Sequence, residues 1–504
     1  MTDTSEKPPL LPSESTLDTV TENNTISIIQ PKWKRVTSVV LLSLLALLNV
    51  ADKFCISGII PQIQQFYNKS DSEGGGILSL TYILATVVFS LVAAVFGDRF
   101  NRKWLIVGAN MIGATFMFIS TIKIKPELWA VFVFLRALVS IGLAFSYGIC
   151  SSMIGDYFKG NARGYALMIF YWSMPIGYSV GISVATFIVD QDLDWRYALY
   201  VWPIAETVLI ALIAGLVTEP IRGCMEDGSE GLPPPTTIKG IFSDFKKIIT
   251  IKSYVCIVIA VAANDFVLNA SGVWTPSLIN EALNISQDTF HHISFNGVNT
   301  IIGVELTIGG IVGGVVSVSL AQAIKDGKSI FAPMKTMRAF PIIGAIGTLV
   351  ATPAFLLAQP ALKWDVFISL AFSFILGLFP AGNNVLAMDV IMEVIVPSRR
   401  ASAASILYVI ANILGDCPGP YIAGLISDSW NDDPENHEAR FDALTVALYV
   451  TGSVFLICFI AFIGAAIFMK SDKERLDNET KKKNIDIKSA AESKGKENSI
   501  KSPL

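Results

Sequence analysis

The sequence predicts an all-α polytopic membrane protein with twelve transmembrane helices in two six-helix pseudo-repeats. Three observations carry this prediction. Of the 504 residues, 52% are hydrophobic and only 16% are charged, whereas soluble domains average about 25% charged residues. Apolar segments long enough to cross a bilayer, which takes about 20 residues, recur along the chain. One long polar stretch divides these segments six and six.

The segments follow one another in a simple order. Residues 1–35 are polar and predict a disordered tail, and the next 182 residues predict the N-terminal bundle, 36–217. Its six apolar segments cover residues 36–60, 74–97, 104–122, 129–153, 165–189 and 197–217. A polar linker, 218–252, separates it from the predicted C-terminal bundle, 253–469. The second set of apolar segments starts near Tyr254, Thr300, Ala339, Trp364, Ser402 and Ala443, and residues 470–504 predict a second disordered tail.

The composition also excludes several classes of function. A net charge of −4 does not suit a polyanionic partner such as nucleic acid. The three histidines lie outside the apolar segments and predict no metal site, and no Gly-x-x-x-x-Gly-Lys loop for ATP occurs. Lipid hydrolysis would need an activated nucleophile or metal ligands, and no such constellation is present. We therefore expect a protein that is not an enzyme and needs no cofactor.

The distribution of basic residues predicts the orientation. Loops on the side of the N-terminus hold sixteen Lys and Arg, and the opposite loops hold six. Because basic residues concentrate in cytoplasmic loops, both termini are predicted to be cytoplasmic. Two glycosylation sequons, at Asn68 and Asn284, fall in loops of the opposite side, which agrees with this direction.

A charged loop, GDRFNRK at 97–103, follows the second apolar segment. One interpretation is an ordinary basic loop on the cytoplasmic side. The loop also resembles the signature loop of the major facilitator superfamily, whose charged residues hold a gate closed in one state. On that resemblance we predict gating roles for the following seven residues: Asp98, Arg99, Arg102, Lys103, Arg399, Arg400 and Asp416.

Ionisable residues inside apolar segments are costly and usually face a polar cavity. Asp52 and Lys53 interrupt the first segment, where they could simply pair with each other, and Arg136 lies early in the fourth. Since the first and fourth helices flank one cavity in the superfamily's fold, we predict an Asp52–Arg136 pair. Protonation of Asp52 would free Arg136 to hold an anionic headgroup, which would couple a proton to substrate movement.

Four polar or amphipathic residues of the second half are further candidates for lining the cavity. Asn269 and Trp274 belong to the seventh segment, and Asn383 and Asn384 belong to the tenth. Each of them, taken alone, is explained more readily as a packing residue than as a ligand contact.

Five stretches, taken together, resemble the Spinster family of lysolipid transporters within the major facilitator superfamily. They are residues 52–61 (DKFCISGIIP), 97–103, 219–223 (EPIRG), 396–400 (VPSRR) and 414–428 (LGDCPGPYIAGLISD). The resemblance implies transport of lysophospholipids or sphingoid lipids such as sphingosine 1-phosphate by alternating access, with Asp52 and Arg136 in proton coupling and headgroup binding. Two departures affect that coupling: Lys53 replaces an Arg, and Leu143 stands where the family has a Glu.

Two further choices follow from the residues. A carrier for another small organic anion, with Arg136 as the anion contact, is the alternative function. Glu6, Leu10 and Leu11 match the spacing of an acidic dileucine signal that sorting adaptors bind, which favours a lysosomal or late endosomal membrane over the plasma membrane.

Overall fold

The computed structural model contains twelve helices or helix pairs that are long and apolar enough to cross a membrane. The structure describes residues 31–122, 124–220, 247–327, 329–396, 399–433 and 436–500, and it describes side chains only as far as Asn478. Within these ranges there is no β-strand. The prediction of an all-α protein with twelve spans is confirmed.

The described residues form sixteen α-helices. Three of the twelve spans consist of two helices each, two spans begin with a separate short turn, and one short helix lies outside the spans. The helices are α1 (Lys32–Gly58), α2 (Ile60–Tyr67), α3 (Ile77–Arg99), α4 (Arg102–Thr121), α5 (Trp129–Tyr157), α6 (Gly160–Asp190), α7 (Arg196–Leu216), α8 (Lys252–Ile285), α9 (Phe295–Asp326), α10 (Ala339–Ala361), α11 (Val366–Leu378), α12 (Pro380–Val394), α13 (Arg400–Ala411), α14 (Pro418–Trp430), α15 (His437–Gly452) and α16 (Phe455–Ile500). A π-helical turn, Ser72–Gly76, leads into α3, and another, Asn412–Asp416, joins α13 to α14.

The two halves repeat one packing scheme. In the N-terminal half, α1 packs on α6, α3 on α5, and α4 on α7. In the C-terminal half, the corresponding spans pack in the same order: α8 on the α13–α14 span, α9 on α11 and α12, and α10 on α16. The first, second and third spans of each half therefore meet its fifth, fourth and sixth spans, as expected of a duplicated six-helix unit.

Contacts between the halves include two pairs of helices. In the first pair, α6 of the N-terminal half packs along α9, and in the second pair α1 contacts α8. The π-turn before α3 packs on α14. We call the face at Lys32, Arg99 and Arg400 the terminal face, and the face at Tyr67, Asp190 and Trp430 the opposite face.

The C-terminal end differs from the prediction. We expected a disordered tail from residue 470, but α16 continues the last span to Ile500. Its charges lie at helical spacing: the Lys470 ammonium lies 3.9 Å from the Glu474 carboxylate, one turn away. Lys473 also bonds Glu393 of α12, which ties this turn to the bundle. Residues 1–30 and 221–246, which carry most of the predicted N-terminal tail and linker, lie outside the described residues.

Candidate functional site

Asp52 and Arg136 form a bidentate ion pair inside the N-terminal half. The Arg136 Nη2 atom donates to Asp52 Oδ2 at 2.7 Å and Nη1 donates to Oδ1 at 3.2 Å. The Asp52 side chain is 0% exposed and the Arg136 side chain is 2% exposed. A buried charge is tolerated when an opposite charge is in hydrogen-bonding contact. The structure thus brings together the two residues that the sequence analysis paired.

The close approach of α6 to α1 positions this pair. A side chain on Gly181 of α6 would lie only 2.2 Å from the Ala51 carbonyl oxygen, so only glycine allows the helices to pack at this distance. Successive helical residues point about 100° apart. Asp52 consequently turns into the N-terminal half, whereas Lys53 turns toward the C-terminal half.

Lys53 belongs to a second charged cluster, which lies between the halves. Its ammonium interacts electrostatically with the carboxylates of Asp416 and Asp265, and Asn384 donates to Asp265 at 3.2 Å. Lys53, Asp265 and Asp416 are half-buried and Asn384 is exposed. In contrast to the sealed Asp52–Arg136 pair, this cluster is therefore within reach of a ligand in the described conformation.

Asp416 lies away from the other residues for which we predicted gating roles, and a gating role for it stays a prediction. We grouped it with the charged loop at 97–103 on the resemblance to the major facilitator superfamily. The residue instead lies in the π-helical turn within its span, beside Lys53. The turn adds a residue to the helical repeat and re-aims the side chain toward the space between the halves.

Three other residues that were predicted to line the cavity have packing roles in this conformation. Trp274 is fully buried, and its Nε1 donates to the Pro420 carbonyl at 2.9 Å, so it is a packing residue in this conformation. Asn383 is also buried and donates to Asn264 at 2.9 Å. Asn269 donates to the Asp416 carbonyl at 2.6 Å and thereby holds the π-turn against α8.

Two basic residues of the terminal face, Arg102 and Arg400, have partners outside the opposing half. Arg102 contacts Asp156 of α5 at 2.7 Å and Glu219 of the linker at 3.6 Å. Arg400 donates to the carbonyls of Ile395 and Met392 and so caps α12 of the C-terminal half.

The remaining predicted gating residues lie at or beside helix ends of the terminal face. Arg99 is exposed in the last turn of α3, and Lys103 lies over the Trp104 ring. Arg399 precedes α13, and the side chain of Asp98 lies outside the described residues. A gating role for these residues therefore stays a prediction.

The opposite face holds a junction between the halves that the sequence analysis missed. The carboxylate of Asp428, on α14, accepts the backbone N–H groups of Asp71 at 2.8 Å and Ser72 at 2.9 Å, and the Ser70 hydroxyl at 2.8 Å. Asp428 is the last residue of the stretch 414–428 that supported the family resemblance. Sequence alone gives no signal for its partners, because they are mostly backbone groups.

Two more sets of contacts close this face. Arg440 of α15 reaches the N-terminal half at Asp71, 3.1 Å away, and at Gln64, 2.8 Å away. Between α6 and α9, Asp190 accepts the backbone N–H of Asn296 at 3.0 Å, and Thr300 donates to Ser183 at 3.0 Å. These contacts join the two halves at the opposite face, so the structure is closed there.

Comparison with known proteins identifies the same architecture. The family model described as Major Facilitator Superfamily matches residues 42–368 and 330–502. "Protein spinster homolog 1" of Homo sapiens is 28% identical over 445 residues, which cover 87% of this chain and 81% of that protein. "Sphingosine-1-phosphate transporter SPNS2" of Xenopus tropicalis is 27% identical over 452 residues, covering 88% of this chain and 84% of that protein. The predicted resemblance to Spinster proteins is confirmed.

Solved structures share the fold. A bacterial homologue of the human lysosomal transporter Spinster, in an inward-facing and occupied conformation, superposes with a TM-score of 0.69 at 16% identity and covers 88% of this chain and 99% of its own. The nucleoside transporter NupG superposes with a TM-score of 0.61 at 12% identity and covers 85% of this chain and 98% of its own. At these identities the likeness establishes the fold alone.

Proposed function

The chain belongs to the major facilitator superfamily, and on that premise we propose that it transports lysophospholipids or sphingoid lipids, such as sphingosine 1-phosphate, by alternating access. The observation that carries the proposal is the sealed Asp52–Arg136 pair beside the ligand-accessible cluster around Lys53. Its support from relatives is the similarity to Spinster proteins over most of the chain, one of which is named as a sphingosine 1-phosphate transporter.

The charges of the two sites suit an amphiphile with one charged end. The cluster between the halves offers an ammonium, Lys53, for a phosphate and two carboxylates, Asp265 and Asp416, for an amine. A zwitterionic headgroup carries both of these groups. Such a headgroup would replace the electrostatic interactions within the cluster without leaving a buried charge unpaired.

Proton coupling, in this proposal, acts through Asp52. While Asp52 is ionised, it holds Arg136 in a closed bidentate contact. Protonation of Asp52 removes the negative charge that pairs with Arg136. The Arg136 guanidinium can then pair with another anion, which the headgroup supplies. Cargo and proton thereby bias the same rearrangement of the two halves, 36–217 and 253–469, around the central chamber.

The orientation and the membrane are part of the proposal. The excess of Lys and Arg in the loops of the terminal face supports a cytoplasmic location for both termini, which makes the opposite face lumenal. The acidic dileucine spacing of Glu6, Leu10 and Leu11 supports delivery to lysosomes or late endosomes by sorting adaptors. These three residues lie outside the described residues.

Reconstitution into liposomes tests the function. Labelled lysophosphatidylcholine and sphingosine 1-phosphate are each offered with and without a pH gradient. We expect protein-dependent movement of at least one of them, and we expect Arg136→Ala to weaken the transport of the anionic lipid most. Transport of a small organic anion but neither lipid would contradict the proposal. If Arg136→Ala reduced the transport of an uncharged cargo equally, Arg136 would have a structural role only.

A further inference from the structure

A third polar site lies inside the N-terminal half, apart from the two charged sites. Asn49 of α1, Asn110 of α4 and Glu206 of α7 all point at Gly142 of α5. A methyl group placed on Gly142 would lie 2.8 Å from Asn49 Oδ1, 3.1 Å from Asn110 Oδ1 and 3.6 Å from Glu206 Oε1. Three oxygen atoms, each an acceptor, therefore converge on one point.

The site is dry. Glu206 is 1% exposed, Asn49 3% and Asn110 0%. Oε1 of Glu206 is buried without a hydrogen-bond partner among the described residues, and no described cation lies within ion-pair distance of this carboxyl. An isolated carboxylate in such surroundings is far more costly than a neutral acid.

The amide hydrogens near this point are all committed elsewhere. The two N–H groups of Asn49 donate to the Leu45 carbonyl and to Asn110 Oδ1, each at 2.9 Å. Those of Asn110 donate to the Ile106 carbonyl and to Ser146 Oγ, each at 2.8 Å. Among the described residues, no hydrogen bond reaches Asn49 Oδ1, so this acceptor is open to a donor from Glu206.

We propose that Glu206 binds a proton and, as the neutral acid, donates it toward Asn49 Oδ1. One proton then satisfies both of the oxygens that lack a partner and removes the unpaired charge. The geometry gives this proton a role that rests on the proposed function: an ionised Glu206 would place a second negative charge within electrostatic range of Asp52. With Glu206 neutral, that repulsion is absent and Asp52 can stay ionised in its contact with Arg136.

The charged groups around the site agree with this assignment. Asp52 on α1, Arg136 on α5 and the Tyr82 phenol on α3 are within electrostatic range of one another, and Asp52 and Tyr82 are within range of Glu206. The charged residues of α4 and α6 lie near the ends of those helices. The indole of Trp202, one turn away on α7, lies against the Cys55 thiol.

Infrared spectroscopy of the full chain in liposomes tests the proposal. A protonated buried carboxyl has a C=O band that a carboxylate lacks. We expect Glu206→Gln to remove one such band, which persists in the wild-type protein from mildly acidic to neutral pH. The control Glu127→Gln, at an exposed position, leaves the band in place. An unchanged band in Glu206→Gln overturns the proposal.

A second variant covers the case in which Glu206→Gln does not fold. Asn49→Leu removes the acceptor and keeps Glu206, so the band should remain but shift to higher frequency as its hydrogen bond is lost. No shift overturns the proposed contact. If the band appears only when sodium is removed, the site binds a cation and not a proton, and the proposal is overturned. These spectra do not depend on transport. If the protein moved no lipid, the proposed function would be disproved, and the spectra would still show whether Glu206 carries the proton.

Discussion

At the scale of single residues, the Asp52–Arg136 pair is costly to break. Because each charge is buried, removing one partner leaves the other uncompensated. We expect Asp52→Ala or Arg136→Ala to cost about 3–5 kcal/mol, and the double variant to cost clearly less than the sum of the two. Thermal unfolding of the four proteins in detergent measures this coupling. Additive losses would contradict a direct pair.

Sequence reasoning reached this pair but not its surroundings. Acidic and basic residues within apolar segments are conspicuous, and the family resemblance indicated which two would meet. The half-buried Lys53 cluster depends on helix rotation and on the π-turn at Asp416, neither of which leaves a local sequence signal. The prediction that Leu143 removes a carboxylate did not place Glu206 beside Gly142, because this proximity exists only in the packed bundle.

At the scale of elements, α9 and α11 pack through backbone contact at Gly313. A Cβ atom there would lie 1.7 Å from the Leu378 carbonyl oxygen, whereas a Cβ on the next residue, Gly314, would meet nothing within 4 Å. We expect Gly313→Ala to cost about 1–3 kcal/mol through forced separation of the helices. Gly314→Ala should be neutral or gain about 0.5–1 kcal/mol through helix propensity.

Melting temperatures of the two variants in detergent check this difference. The pair is a matched test, since both changes add one methyl group to adjacent residues of the same helix. Equal melting temperatures would show that α9 and α11 do not approach as closely as the structure has them.

Element existence was largely predictable, and element interruptions were not. Long apolar segments gave all twelve spans, because a bilayer demands about 20 apolar residues for each. The separate helix α2 and the extension of α16 to Ile500 were not foreseen. The separate helix α2 depends on Pro61, which follows the end of α1. The extension of α16 consists of polar residues, which composition alone assigns to a disordered tail.

At the scale of the whole molecule, Asp428 holds the opposite face closed. Its carboxylate accepts three hydrogen bonds from residues 70–72 of the other half. Since hydrogen bonds to charged groups contribute about 1.5–3 kcal/mol each, we expect Asp428→Ala to shift the population of the open form at least tenfold. The nearby exposed residue Asp432 offers a control, Asp432→Ala, that should shift nothing.

Distances between spin labels on Asn68→Cys and Ser429→Cys, in a cysteine-free background, report this opening. A longer distance component should grow in Asp428→Ala and stay absent from Asp432→Ala. An unchanged distribution in both would show that the closed face depends on the contacts of α6 and α9 instead.

The central claim is that Asp52 couples a proton to lipid movement through Arg136. Uptake of labelled sphingosine 1-phosphate into proteoliposomes, with and without a pH gradient, tests it most directly when the wild-type protein is compared with Asp52→Asn. We predict that the gradient changes the wild-type rate and does not change that of the variant, with equal amounts of each protein inserted. A variant that responds to the gradient as the wild type does would contradict the account.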